Sequence, residues 1–284
     1  MTALSRTVHV EPVMGTVASF DVRDDVPEAI RLLGIRAAAH ALRCAEERFS
    51  AFRPDSEVCR HDRGELAERD RSAELREVLD LCAALEADSA GVFRARTPGT
   101  ARLDVAGVVK GWAIDRAGAA LRDRGLRCWC LAVGGDVLVA GAPEPGRAWR
   151  VAVRDPGSAD RVTLVLPVVD AAVATSGTYE RGRHLWDGRD GRRRPLPGST
   201  TVVGPSMTTA DAYATVAHAL GVAGCSWVAR HPGHEAVRVE ADGSVVTTLG
   251  VRVTGARVVG YADAAAGSAA GEDGSPVRRA AARR

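Results

Sequence analysis

Two residue types are missing from this chain altogether: its 284 residues include no Asn and no Gln. A third is nearly missing, because among 38 Lys and Arg residues only Lys110 is a lysine. With Ala, Arg, Gly and Val abundant, this pattern points to a nucleotide-composition bias. Under such a bias surface lysines drift to arginine, since solvated faces rarely distinguish the two. A lysine that persists either marks a site needing a compact point charge or survives by chance. The six cysteines, Cys44, Cys59, Cys82, Cys128, Cys130 and Cys225, form no CxxC pair. Cys128 and Cys130 share one strand face, and buried thiols are preferred there over a metal or disulfide. No apolar run approaches the roughly 18 residues of a membrane span. The start, MTALSRTVHVEPVMG, has neither an apolar core region nor a lipobox cysteine, so the expectation is a cytoplasmic protein. Net charge is only +2 with 26% charged residues, which gives no reason to expect nucleic acid or an anionic membrane as partner.

What is present builds a core: 46% of residues are hydrophobic. Residues 7–22 alternate apolar and polar and predict strand, turn, strand, with Gly15 at the turn. Helical spacing covers 27–49, through Ile30, Leu33, Ala37, Ala41 and Cys44, and 72–88, through Leu75, Val78, Leu79, Cys82 and Leu85, the second with Ser72 as N-cap. A short strand holding Asp104 leads into a helix of about four turns closed by Gly125. CWCLAVGGDVLVAG reads as a hairpin, and WRVAVRDP and TLVLPVVDAAVATSG read as antiparallel strands. Residues 183–198 form a polar loop, 208–221 a capped helix, and short strands finish near Val259. The remainder, 262–284, is a low-complexity tail expected to be disordered, leaving 1–261 as one domain. Hairpins interspersed with separate helices indicate an α+β fold.

Five stretches carry chemistry. DVAGVVKG places Asp104 before a strand-to-helix junction and Lys110 in the first turn. Free N–H groups there suit a pyrophosphate, although an ordinary exposed lysine at a helix start has the same look. AVGGDVLVAG lacks GxGxxG and GxxxxGK[ST], and no helix follows, so a tight hairpin turn is the better reading. ADAYAT sets Asp211 and Thr215 at i and i+4, a spacing that can share a hard cation such as Mg²⁺. On spacing alone, a capped helix whose Asp211 answers the N-terminal dipole is the preferred reading. RHLWDGRDGR offers His184 as a general base, while Asp187 and Asp190 suit turns. TSGTYER is a hydroxyl-rich turn that suits phosphate or a helix cap.

Read in order, the chain resembles the ApbE family of FAD:protein FMN transferases. The matching stretches are VMGT (13–16), RFSAFRPDSEV (48–58), LDVAGVVKGWAID (103–115) and LAVGGDVLVAG (131–141). ATSGTYER (174–181), HLWDGRDGRRRP (184–195) and TADAYATVAHALG (209–221) complete the set. The resemblance implies a T-fold-like α+β domain with antiparallel sheets and packed helices. It implies Mg²⁺-dependent transfer of the FMN moiety of FAD onto a Thr or Ser hydroxyl of an acceptor redox protein, with release of AMP. Water in place of that hydroxyl would make the enzyme an FAD hydrolase, and loss of the chemistry would leave an FAD-binding protein.

Carried onto this sequence, Met14, Phe52, Asp104, Lys110 and Leu185 would line the FAD site, with Val92 and Phe93 packing on the flavin. Gly134, Gly135 and Asp136 would lie close to the nucleotide, and Thr175, Ser176 and Gly177 near the phosphates. The Gly107 carbonyl, Asp211 and Thr215 would hold Mg²⁺. His184, Asp211 and Lys110 would carry the catalysis, His184 as base or hydroxyl-orienting group. The sequence departs from the family pattern at three points. Arg94 stands where a carboxylate is usual, Asp62 where Asn is usual, and HLWDG loses a proline and gains Trp186.

Overall fold

The computed structural model describes residues 5–96, 102–177, 186–189, 191–193, 197–248, 250, 258–262 and 278–279. The chain begins with a hairpin, β1 (Thr7–Val13) and β2 (Thr16–Val22), and then forms helix α1 (Glu28–Phe49). Two helices follow, the short α2 (Glu57–Asp62) and α3 (Ala73–Asp88). Helix α4 (Ala106–Asp123) precedes the hairpin of β3 (Trp129–Val133) and β4 (Asp136–Ala140). A separate hairpin of β5 (Trp149–Asp155) and β6 (Ser158–Val168) leads to β7 (Ala172–Gly177). Two-residue strands β8 (Trp186–Asp187) and β9 (Arg192–Arg193) pair within the stretch expected to be a polar loop. The last part holds β10 (Ser199–Gly204), α5 (Met207–Leu220), α6 (Ala223–Val228), β11 (Glu235–Val239) and β12 (Val245–Thr248). It ends with β13 (Val258–Ala262) and β14 (Arg278–Arg279), the latter pairing Arg278 with Tyr261 from within the low-complexity tail.

Ten strands form one sheet in the order β1-β2-β3-β4-β7-β10-β11-β12-β13-β14. Its pairings are antiparallel except β12 with β13, which run parallel. The α+β expectation holds. Helices α1, α4 and α5 cover one face, where Ile35, Leu42, Ile114, Leu121, Leu131 and Met207 share a core. Full burial of a side chain such as Leu42 stabilises the fold by about 1.5–3 kcal/mol. The β5–β6 hairpin covers the opposite face, closing Val151, Val153, Leu164 and Leu166 over Val139, Val173, Val237 and Val239.

Sequence spacing finds the long helices, but in α1 it selects the wrong face. Ile30 and Leu33 are exposed, and the buried stripe is Ile35, Ala38, Ala39, Leu42, Ala45 and Phe49, because the alanine-rich sequence offers apolar residues at more than one spacing. Ser72 caps α3 as expected, its hydroxyl accepting from Leu75 N at 3.0 Å. Gly125, at φ +79°, closes α4, where Leu126 N reaches back to the Leu121 carbonyl. The stretch TLVLPVVDAAVATSG is not one strand. It breaks at Asp170, which takes φ +47° and accepts a hydrogen bond from Gly141 N, so the chain crosses from the hairpin into the main sheet. Helix α2 was not expected. It is too short to show a period, and it forms because Ser56 caps Cys59 N. All six cysteines are free thiols, and burial pushes those of Cys82, Cys130 and Cys225 up to about 12.

Candidate active site

Two tight turns define one end of the sheet. Between β1 and β2, Met14 and Gly15 both take positive φ, +55° and +67°. Between β3 and β4, Gly134 and Gly135 do the same at +56° and +94°. Such two-residue turns match the strand twist, and glycine removes the steric cost. The expected hairpin at the Gly-Gly pair is therefore present. Since β2 pairs with β3, the two turns touch: Gly134 N donates to the Val17 carbonyl at 3.2 Å. A Cβ on Gly134 would lie 3.2 Å from the Thr16 side chain.

Asp136, first residue of β4, is 1% exposed. Its Oδ1 accepts from Thr175 N on β7 at 3.1 Å. Its Oδ2 pairs with Lys110 Nζ at 2.6 Å. The same ammonium lies 3.2 Å from Oδ1 of Asp211, which is 3% exposed. One ammonium thus serves two buried carboxylates. Burial alone would lower the Lys110 pKa, but the Asp211 and Asp136 charges outweigh it and hold it above the ordinary lysine value. Burial pushes the Asp136 carboxyl up, the Asp211 charge adds to this, and Lys110 opposes both.

Lys110 is not in the first turn of α4, as the spacing suggested. The helix begins at Ala106, whose N–H is taken by Asp104 Oδ1 at 3.0 Å, so Lys110 opens the second turn. Its partners are carboxylates, and a carboxylate already sits at the helix N-terminus. The Ala106 amide is thus taken by the chain's own carboxylate.

Beside this cluster is a cavity of about 340 Å³, of the size small-molecule sites have. Met14, Phe52, Asp104 and Lys110 all line it, drawn from three separate stretches of the chain. Phe52 is 96% exposed and stands at its rim. Asp62, also in the lining, accepts from Leu103 N at 3.1 Å and so fixes the wall beside Asp104.

Other candidate residues lie close by or in the core. Thr175 Oγ1 meets Thr201 Oγ1 at 2.8 Å, and Ser176 Oγ is 3.4 Å from Thr215 Oγ1. Gly177 ends β7 opposite Ser199. Val92 and Phe93 are buried in the helical core, and a Cβ on Gly107 would come within 3.0 Å of the Phe93 ring. Gly188 N donates to the Val92 carbonyl at 2.9 Å, and a Cβ on Gly188 would strike the Arg94 side chain, so the 186–189 segment rests on residues 91–94. His184, Leu185 and Asp190 lie outside the described residues. Sequence reasoning missed the role of Gly111, whose N–H donates to Asp211 Oδ2 at 3.1 Å. The available signal was Gly107 and Gly111 at i and i+4, small residues on one helix face that allow another backbone to approach.

The family model for ApbE matches residues 94–238, half of the chain. The chain belongs to the ApbE family. It is similar to the FAD:protein FMN transferase of Treponema pallidum, 31% identical over 185 residues, covering 56% of this chain and 50% of that protein. The Rhodobacter capsulatus FAD:protein FMN transferase is 35% identical over 162 residues, covering 53% of this chain and 30% of that protein. The chain therefore spans half the length of these relatives or less. Among solved structures, the flavin transferase ApbE of Vibrio cholerae superimposes with TM-score 0.70 at 18% identity, covering 83% of this chain and 94% of that one. The ApbE protein of Thermotoga maritima gives 0.70 at 21%, covering 85% and 96%. These ApbE structures share the fold.

Among the described residues no three His, Cys, Asp or Glu side chains gather as a metal site. A cation in this ApbE chain would rest on mixed oxygen donors, and the donors present fit a hard ion. Two buried carboxylates face one ammonium. Thr215 lies one helical turn beyond Asp211. The Gly111 N–H, which in a helix belongs to the Gly107 carbonyl, is also engaged by Asp211, so that carbonyl has a shared donor.

Proposed function

We propose that this chain transfers the FMN moiety of FAD onto a Thr or Ser hydroxyl of an acceptor redox protein, in a Mg²⁺-dependent reaction that releases AMP. The observation that carries the reading is Lys110 held between Asp136 and Asp211 at the edge of the cavity lined by Met14, Phe52 and Asp104. The names of its ApbE relatives support the same activity.

In this reaction the acceptor oxygen forms a bond to the FMN phosphorus. The bond from that phosphorus to the bridging oxygen breaks, and AMP departs with the electron pair. Positioning and charge stabilisation dominate such a transfer. The cavity holds the flavin end, with the Met14 thioether and the Phe52 ring as apolar surfaces. Lys110 directs its ammonium toward the pyrophosphate while Asp136 fixes its position. The Thr175 and Ser176 hydroxyls offer donors to phosphate oxygens. Gly107, Asp211 and Thr215 would hold Mg²⁺, which supplies charge neutralisation on the pyrophosphate. His184 is the group proposed to take the hydroxyl proton.

Incubation with FAD, Mg²⁺ and a candidate acceptor domain tests this. Acceptor gaining the mass of one FMN moiety, with equimolar AMP, is the expected result. Free FMN and AMP without labelled acceptor would make the chain an FAD hydrolase. Bound FAD with no AMP under any condition would leave only binding.

A further inference from the structure

Asp115 is part of neither the cavity nor the charge cluster, yet it ties α5 to α4. Its Oδ1 accepts from Met207 N at 2.9 Å. Its Oδ2 accepts from Thr208 N at 2.8 Å and from Thr208 Oγ1 at 2.6 Å. Ser206 Oγ takes the third amide, Thr209 N, at 3.3 Å. The first three N–H groups of α5 are thus satisfied, two of them by a side chain from another helix.

One turn back along α4 lies Gly111. There the missing side chain admits the Met207 carbonyl, 2.5 Å from where a Cβ would stand, and the N–H reaches Asp211. Asp211 is one turn forward from Met207 along α5. The two helices therefore run past each other in opposite directions, four residues on one matching four on the other. Carried one turn further, the same register would bring Thr215 toward Gly107, where the atoms nearest a Cβ belong to the Phe93 ring.

We propose that Asp115 is a positioning residue that sets this register, and that it thereby holds Gly107, Asp211 and Thr215 together as oxygen ligands for a divalent cation. The inference rests on the Mg²⁺ reading of the site. Ser206 alone caps α5 but leaves it free to turn against α4. A rotation by one residue, about 100° at 3.6 residues per turn, would carry Asp211 off Lys110 and away from Gly107. The carboxylate of Asp115, gripping two successive amides, prevents that rotation.

Mn²⁺ serves as the probe, with its affinity for the full chain read by electron paramagnetic resonance. FAD affinity without metal and the melting temperature are measured alongside. Asp115→Asn keeps the size of the side chain but sets an amide against a backbone N–H. The expected result is a Mn²⁺ Kd raised by about tenfold or more, with the metal-free FAD Kd within about twofold of the parent. Thr208→Val removes one of the three donors and serves if Asp115→Asn does not fold. It should raise the Mn²⁺ Kd about threefold, and Thr208→Ser should restore it. Folded variants that bind Mn²⁺ as tightly as the parent, whatever their melting temperature, overturn the positioning role alone. A parent chain that binds no Mn²⁺ overturns both that role and the cation reading beneath it.

Discussion

Lys110 Nζ lies 2.6 Å from Asp136 Oδ2 and 3.2 Å from Asp211 Oδ1, so one ammonium joins a helix to a strand and to a second helix. The single lysine of the sequence occupies a position where shape as well as charge matters. A guanidinium is planar and wider, and cannot fit between two carboxylates as a point charge does. Lys110→Arg should fold but release AMP from FAD with kcat/KM lowered by about tenfold or more. Steady-state assays on a variant with parental circular dichroism check this. Parental turnover would show that the lysine survived by chance.

The Asp136 carboxyl carries a cost of burial that Lys110 only partly offsets. Its pKa is raised in the fold, so its contribution to stability is fully present below the ordinary carboxylate value and is lost as pH rises through the folded one. Asp136→Asn removes that titration and keeps the acceptor for Thr175 N, though it sets an amide N–H against the Lys110 ammonium. In metal-free buffer the parent's melting temperature should fall relative to the variant's as pH rises from 5 to 8. Melting curves across that range decide it. A difference independent of pH would place the cost elsewhere.

Met14 holds φ at +55°, a conformation that costs a residue with a side chain about 1 kcal/mol relative to glycine. Its side chain also lines the cavity. Met14→Gly should raise the unfolding free energy by about 0.5–1 kcal/mol while weakening FAD binding severalfold. Met14→Ala should weaken binding without the gain in stability. Chemical denaturation and fluorescence titration separate the two effects, and a Met14→Gly protein with parental FAD affinity would remove Met14 from the site.

At Gly111 the backbone of α5 packs directly on α4. A methyl group there meets the backbone of Met207 and Thr208, which cannot swing aside as a side chain would. Gly111→Ala should destabilise the protein by about 1–3 kcal/mol, measured by urea unfolding. Unchanged stability would mean that the two helices can separate freely at this crossing.

Much of the fold was legible because its signals are local. The α3 stripe shows its period within the helix itself, and Gly134–Gly135 declares a hairpin in two residues. The break at Asp170 and the helix α2 were not legible. The first depends on which sheet face the hairpin covers, and the second is one cap on six residues. Met14, Phe52, Asp104 and Lys110 were selected by motif, and the fold brings all four to one cavity. The pairing of Asp136 with Lys110, and the hold of Asp115 on α5, left no trace in spacing. Their partners are separated by tens of residues, and nothing near either residue records the distance between them.

The sequence by itself determined the longer helices and the Gly-Gly hairpin, the family and the one position where lysine persists, because composition, periodicity and turn chemistry act over a few residues. The tertiary structure decided which charges meet. Asp136 comes from a strand, Lys110 from one helix and Asp211 from another, and only the packing of α4 and α5 over the sheet makes them neighbours. Burial then turns three ordinary charged residues into a coupled set, because a charge removed from water must find its partner within a few ångströms.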